Sequence, residues 1–373
     1  MASIPGGQYN AFAQGGQQVN VVTSTDGQNL SPPIPGQFNL EVITDGVVPS
    51  AGLAPGYQGM AVLSDNGQTI DMAYGDWSLQ LNGDPTVIGG AGNDTIYGGN
   101  GPALIIGGTG SDVVYGGSGP MTVQGGAGPD TVFGGSGPDT IVGGAGSDFI
   151  VGGGGTNFIV GGDGPDTIQG GSGTDTIYGG SGQDVITAGS GADLIFGGEG
   201  KDTITGGSGA DTIFAGQGGD LITGGAGPDL IVGGAGRDTI VGGSGSDTIF
   251  GGAAGSLIHG GTGQDQIYLG GGQNVVFGGS GADTIDGGAG NNLLFAGTGG
   301  TLFQDSGIQG HDTVVGFNQA HGDAITFAGE DAASVDHVVA TATVNGGGTT
   351  ITLPDGSTMT LVGVTHIDST FFH

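Results

Sequence analysis

The sequence has no cysteine, and only two basic side chains, Lys201 and Arg237, stand against 35 acidic ones in 373 residues. Without cysteine there is neither a disulfide framework nor a thiolate metal site. A net charge of −33 leaves almost nothing to neutralise phosphate, which excludes nucleic acid and anionic membrane surfaces as partners. No run of about 18 apolar residues is present, so no membrane insertion is expected. The amino terminus, Met1-Ala2-Ser3-Ile4-Pro5-Gly6-Gly7, lacks a basic stretch leading into an apolar one, and a cleaved secretory signal is not expected there. The His-Glu-x-x-His zinc motif is also absent: His259, His311, His321, His337, His366 and His373 all stand in other settings. Clusters such as Gly243-Ser244-Gly245 resemble a nucleophile elbow only superficially, and the chain is not expected to be an enzyme. Self-repulsion of so many carboxylates opposes compaction, so folding requires counterions.

What the chain has instead is glycine, 95 residues of it, most of them in one uninterrupted array. Over residues 89–304 a nine-residue unit, Gly-Gly-x-Gly-x-Asp-x-(Ile/Val/Leu)-x, repeats twenty-four times in register. Gly89-Gly90-Ala91-Gly92-Asn93-Asp94-Thr95-Ile96-Tyr97 and Gly242-Gly243-Ser244-Gly245-Ser246-Asp247-Thr248-Ile249-Phe250 are well-kept copies. This nonapeptide resembles the repeat of the RTX (repeats-in-toxin) family, whose loops bind calcium.

The physical reading agrees. A six-residue glycine-rich turn takes positive φ at little cost and can aim its carbonyls at a cation. Aspartate at position six supplies the hard anionic oxygen that calcium prefers. Positions seven to nine form a very short strand, with the apolar position eight facing inward and its neighbours outward. Two units make one coil. The expected fold is all-β, a right-handed parallel β-roll of about twelve coils, nearly 60 Å long at roughly 4.8 Å per strand. The expected organisation is a β-rich N-terminal cap or docking segment at 1–82, the roll at 83–304 and a β-rich C-terminal cap at 305–373.

Position six is aspartate in seventeen units: Asp94, Asp112, Asp130, Asp139, Asp148, Asp166, Asp175, Asp184, Asp193, Asp202, Asp211, Asp220, Asp229, Asp238, Asp247, Asp265 and Asp283. The exceptions are Ala103, Met121 and Asn157 early on one edge, then Ser256, Asn274 and Asn292 late on the other, with Thr301 in the last unit. If each ion sits between neighbouring coils of one edge, unbroken pairs give about 14 strong calcium sites, offsetting most of the −33. The remaining turns should be weak, empty or held by asparagine and hydrogen bonds.

The outward positions are almost uncharged, Asp286 alone excepted, whereas a dispersed soluble surface carries mixed charge. One row reads Val142, Val160, Tyr178, Phe196, Phe214, Val232, Phe250 and Tyr268, and it is the expected assembly face. The other face carries Tyr97, Tyr115 and Phe133 near its start and Phe277 and Phe295 near its end.

Beyond residue 305 the nonapeptide is lost. A hairpin pattern follows over 349–362, turning at Pro354-Asp355-Gly356-Ser357. This segment resembles the one after the repeats of secreted RTX proteins, and Asp368-Ser369-Thr370-Phe371-Phe372-His373 looks like an uncleaved type I secretion signal. The resemblance implies passage through a type I secretion apparatus while unfolded, and a location outside, or on the surface of, a Gram-negative cell. Low cytosolic calcium would leave a repelling polyanion and external calcium would fold it. The expected function is a calcium-dependent extracellular structural protein that self-assembles with copies of itself, head to tail or laterally, into a filament, surface layer or matrix. The alternative is a monomeric calcium-dependent adhesin or carbohydrate-binding module, and cell-surface polysaccharide is a candidate partner.

Overall fold

All twenty-four position-eight side chains, from Ile96 to Phe303, are at most 1 % exposed. Burying each β-branched side chain contributes roughly 1.5–3 kcal/mol, and the branched residues also suit a strand. The structure, a computed structural model, describes residues 86–307 and 309–373 in full. Before them it describes the strand backbones Gln8–Phe12, Gln18–Ser24, Phe38–Ile43, Gly59–Val62, Thr69–Asp71 and Ser78–Gln80. The rest of the expected cap at 1–82 lies outside the described residues. The chain divides into two compact units, 1–180 and 181–373.

In the first unit two parallel ladders alternate along the chain. Thr95–Tyr97, Val113–Tyr115, Thr131–Gly135 and Phe149–Gly153 pair at 18-residue offsets in one. Thr86–Ala91, Ala103–Thr109, Met121–Ala127, Thr140–Ala145 and Phe158–Asp163 pair likewise in the other. The early strand backbones extend these ladders in parallel, as with Ser78–Gln80 on Thr95–Tyr97 and Thr69–Asp71 on Thr86–Ala91. Gln8–Phe12 is antiparallel to Gln18–Ser24.

The second unit repeats the plan. One of its ladders includes Leu194–Glu199, Thr212–Gln217, Leu230–Ala235, Thr248–Phe250 and Gln266–Tyr268. The strands differ from the three residues expected. Many span six, as Thr212–Gln217 does, because positions one to three of the next unit stay in the ladder: Gly216 and Gln217 pair with Gly234 and Ala235. The true turn is therefore positions four to six, tighter than a six-residue loop.

The coiling also continues past the last nonapeptide. His311–Val315 pairs in parallel with Leu293–Phe295, and Ala324–Phe327 with Leu302–Asp305. The hairpin expected over 349–362 is present, Gly348–Thr352 against Thr358–Val362, and its second strand joins His311–Val315. The helix Ala332–Thr341 was not anticipated. It begins with a capping box in which Asp331 accepts from Ser334 N–H at 2.7 Å while Ser334 Oγ accepts from Asp331 N–H at 2.8 Å. The terminal residues close the last coil: Phe371 stacks on Phe317 at 5.5 Å, and His373 N–H donates to the Ile325 carbonyl at 3.1 Å.

Asp286, read from the sequence as an outward charge, is 6 % exposed and accepts from Gly288 N–H at 3.1 Å and Ser306 Oγ at 3.2 Å. The turn after the array folds over it, which period-two alternation could not show.

Candidate metal centre

Each of the seventeen array aspartates is at most 3 % exposed. The loop places it at the mouth of the strand that follows, so one carboxylate oxygen reaches the backbone of the preceding coil. Oδ1 of Asp112 accepts from Asp94 N–H at 2.8 Å, and Oδ1 of Asp130 from Asp112 N–H at 2.8 Å. In the second unit Asp211, Asp229 and Asp247 accept from Asp193, Asp211 and Asp229, each at 2.9 Å. The carboxylate thus clamps one coil to the last.

The second oxygen is different. Oδ2 of twelve aspartates, Asp112, Asp130, Asp139, Asp148, Asp202, Asp211, Asp220, Asp229, Asp238, Asp247, Asp265 and Asp283, is buried with no hydrogen-bond partner. In eleven of them it faces position one of its own loop, where glycine leaves a cradle; in the loop of Asp220 that position is Ala215. A Cβ built on Gly206 would lie 2.5 Å from Asp211 Oδ2 and 2.6 Å from the Gly224 carbonyl oxygen, and one on Gly125 would lie 2.4 Å from Asp130 Oδ2 and 2.5 Å from the Gly143 oxygen. Two oxygens, one anionic and neither carrying a hydrogen, converge on one small space. A buried unpaired carboxylate is costly unless a cation meets it.

Among the described residues no group of three or more His, Cys, Asp or Glu is placed to hold a metal, and the donor that shares the cradle with the carboxylate is a backbone carbonyl, that of Gly224 beside Asp211 and of Gly143 beside Asp130. Carboxylate with carbonyl oxygen is the donor chemistry of calcium, a hard cation that takes six to eight oxygens. When bound, the ion supplies the positive charge these oxygens lack.

Proton affinity reports the same strain. Burial pushes Asp130 up to about 7; the hydrogen bond from Asp112 N–H opposes the rise, and the like charges of Asp112 and Asp148 add to it. Burial likewise raises Asp229 and Asp265 to about 6, each hydrogen-bonded from the preceding coil and flanked by two aspartates.

The RTX calcium-binding nonapeptide repeat profile matches residues 82–119 and 124–301, more than half of the chain. The chain belongs to the RTX repeat family. It is a calcium-binding β-roll. Among solved structures it is similar to the extracellular lipase LipA from Serratia marcescens, at 22 % identity and a TM-score of 0.21, over 58 % of this chain and 39 % of the lipase. The chain thus spans about two fifths of that protein's length. No curated protein matches it.

Not every RTX unit keeps the site. At Ala103 and Met121 the carboxylate is gone and Pro102 and Pro120 precede it. Gly99, Gly101, Gly117 and Gly119 do not take the left-handed φ seen at equivalent glycines such as Gly108 (113°) and Gly110 (138°). The RTX motif persists there in sequence while the loop conformation is lost. At the other end of the array, amide groups stand in for the cation: Asn274 Nδ2 donates to Asn292 Oδ1, and Asn292 Nδ2 to Asp312 Oδ1, both at 2.8 Å.

Two ladder aspartates escaped the sequence reading. Asp312 accepts from Asn292 N–H at 3.1 Å and Asp323 from Thr301 N–H at 2.8 Å. Their offsets are 20 and 22 residues, which hides them from a nine-residue period. The short patterns Asp312-Thr313-Val314-Val315 and Asp323-Ala324-Ile325-Thr326 are the signal that could have found them.

Asn157 is intermediate. It is 2 % exposed, its Oδ1 accepts from Asp139 N–H at 3.0 Å, and its Nδ2 is buried without a partner. Nδ2 points into the cradle, 2.8 Å from a Cβ built on Gly152. Asn157→Asp is expected to turn this misplaced donor into a ligand. Bound calcium, counted by equilibrium dialysis, should rise by about one ion per chain, and at a free calcium of 100 Kd the new site should add about 2.7 kcal/mol. An unchanged calcium count would show that the carboxylate oxygen alone does not make the site.

The outward rows are in register within each unit. Val142 pairs with Val160, and Tyr178 also lies in the first unit, 36 % exposed. In the second unit Phe196, Phe214, Val232, Phe250 and Tyr268 form one row, with ring centroids 5.2 Å apart for Phe196–Phe214 and 5.1 Å for Phe250–Tyr268. On the other face His259, Phe277 and Phe295 stack at 4.7 and 4.5 Å.

Proposed function

We propose that this chain is a calcium-dependent extracellular structural protein. It leaves a Gram-negative cell unfolded through a type I apparatus, folds on meeting external calcium and self-assembles into a filament, surface layer or matrix. In this reading it is not an enzyme. The observation that carries it is the half-exposed, uncharged row from Phe196 to Tyr268 on a chain of net charge −33. Ions held along the roll remove most of the repulsion between copies, and the outward rows then provide apolar contact.

The magnitude favours many weak contacts over one strong one. Five rungs at roughly 4.8 Å by about 10 Å cover about 240 Å², worth about 6 kcal/mol at ~25 cal/mol per Å². Association costs ~4–15 kcal/mol, so one row gives a weak pair and stable assembly needs several contacts at once.

Ring geometry weighs against the carbohydrate-binding alternative. Phe277 and Phe295 lie within 7° of parallel and Phe196 and Phe214 within 9°. Their faces cover one another and the edges point outward, whereas stacking on a sugar needs free ring faces.

The test is particle size by light scattering with negative-stain imaging, as calcium is titrated from chelated zero to about 10 mM, above the ~10⁻⁴–10⁻³ M range of extracellular calcium modules. Ordered growth above a threshold supports the reading. A compact monomer at every calcium level sinks it.

A further inference from the structure

Where Ala103 and Met121 replace the loop aspartates, the first unit has a groove with a cavity volume of about 410 Å³. Pro102, Pro120 and Pro138 line it together with Leu104, Met121 and Thr122, and no charged side chain does. The strands beneath are in register, Leu104 on Thr122 and Thr122 on Thr140. The prolines therefore recur as rungs, one per coil, at the inter-strand spacing of about 4.8 Å.

The opposite ladder of the same coils presents a matching feature. Tyr97, Tyr115 and Phe133 stack face to face with centroids 5.0 and 5.2 Å apart. Tyr97 is 40 % and Tyr115 39 % exposed, and their edges project from the face. Three aromatic rungs and three proline rungs thus share one period and come from the same coils.

We propose that this groove receives the Tyr97, Tyr115 and Phe133 ladder of a second copy of the chain. A second copy is the occupant because it carries rungs at this period, in this number, and without charge. Proline ring edges and Leu104 offer CH surface to the aromatic edges, and the uncharged groove lets two polyanions approach without opposing carboxylates. The contact joins different surfaces of the two copies, so each copy keeps a free ladder and a free groove, and addition can continue. Three rungs at roughly 4.8 Å by about 10 Å cover about 140 Å² per copy, less than a fifth of the ~800 Å² per partner of a standard interface. A single contact is transient and holds only when repeated in an array. The inference rests on the self-assembly reading and specifies one of its contacts.

The absence of cysteine makes the test clean. Two full-length variants, Tyr115→Cys and Leu104→Cys, are treated in calcium with a bismaleimide spanning about 10 Å, the separation of face-packed sheets. The expected result is a several-fold excess of covalent dimer in the equimolar mixture over either variant alone, because ladder meets groove and not its like. Equal cross-linking in the mixture and the single variants overturns the proposal, as does none in assemblies that scattering shows to have formed; in both cases the self-assembly reading stands. If scattering shows monomers throughout, both fall. Protection of Leu104→Cys from a monofunctional maleimide in the monomer would assign the groove to the chain's own residues, and would also overturn the proposal.

Discussion

Chelating calcium at pH 7.5 is expected to abolish the β-sheet circular dichroism of the array, and returning calcium to restore it. The reason is the set of buried carboxylate oxygens that no hydrogen bond satisfies, Asp130, Asp211 and Asp229 among them, which are costly to ionise unless a cation meets them. Each occupied site contributes about 2.7 kcal/mol at a free calcium of 100 Kd, and the contributions accumulate along a ladder in which every coil rests on its neighbours.

The pH dependence has a definite sign. Asp130 is raised from 3.8 to about 7, and Asp139, Asp202, Asp229 and Asp265 to about 6. A carboxylate whose folded value lies above its unfolded one stabilises the metal-free fold below the unfolded value, and that stability is lost as pH rises through the folded value. The chelated chain should therefore keep most of its β signal near pH 4 and lose it between about pH 4 and 7. Calcium binding should show the reverse trend, tightening over the same window, because ligation requires ionised carboxylates. A chelated chain whose spectrum at pH 7.5 matches the calcium-loaded one would refute the account.

Gly225→Ala is expected to destabilise the calcium-loaded roll by at least about 3 kcal/mol, measured by thermal or denaturant unfolding. Gly225 has φ of 123°, and a Cβ there would lie 2.1 Å from the Gly207 carbonyl oxygen, a backbone atom that cannot move without breaking the coil below. Gly224→Ala, one residue earlier, should behave differently. Its Cβ would meet Asp229 Oδ2 at 2.5 Å and the Gly242 oxygen at 2.6 Å, so it should weaken calcium binding more than the fold. The array itself shows the contrast. Position one is Ala188, Ala215, Leu269 and Ala296 in four units, while position two is glycine in all twenty-four. If Gly225→Ala melts within ~0.5 kcal/mol of the parent, the close approach is not a constraint.

Much of this was legible in advance because the signal is local and repeated. Alternation over positions seven to nine fixed which side chains are inside, and Ile231 and Ile240 are fully buried as expected. The loss of aspartate at Ala103 and Met121 could be read directly, but not that the glycines of those loops leave the left-handed region. The burial of Asp286 was not legible, since the segment covering it includes Ser306, twenty residues away. Nor was the helix Ala332–Thr341, whose Asp331 cap follows a short strand and whose core contribution is limited to Val335 and Val338.

The sequence by itself determined the period, the inward row, the edges that carry carboxylates and the need for a compensating cation. These follow from alternation, glycine's access to positive φ and the sum of like charges. The tertiary structure alone decided that in loops such as those of Asp130, Asp211 and Asp229 one carboxylate oxygen is consumed by the coil before it while the other is aimed at a glycine cradle. It alone brought Asp312 and Asp323 into the ladders at offsets of 20 and 22 residues. Those choices depend on which backbone lies above and below a given loop, and stacking of coils, not neighbouring residues, sets that.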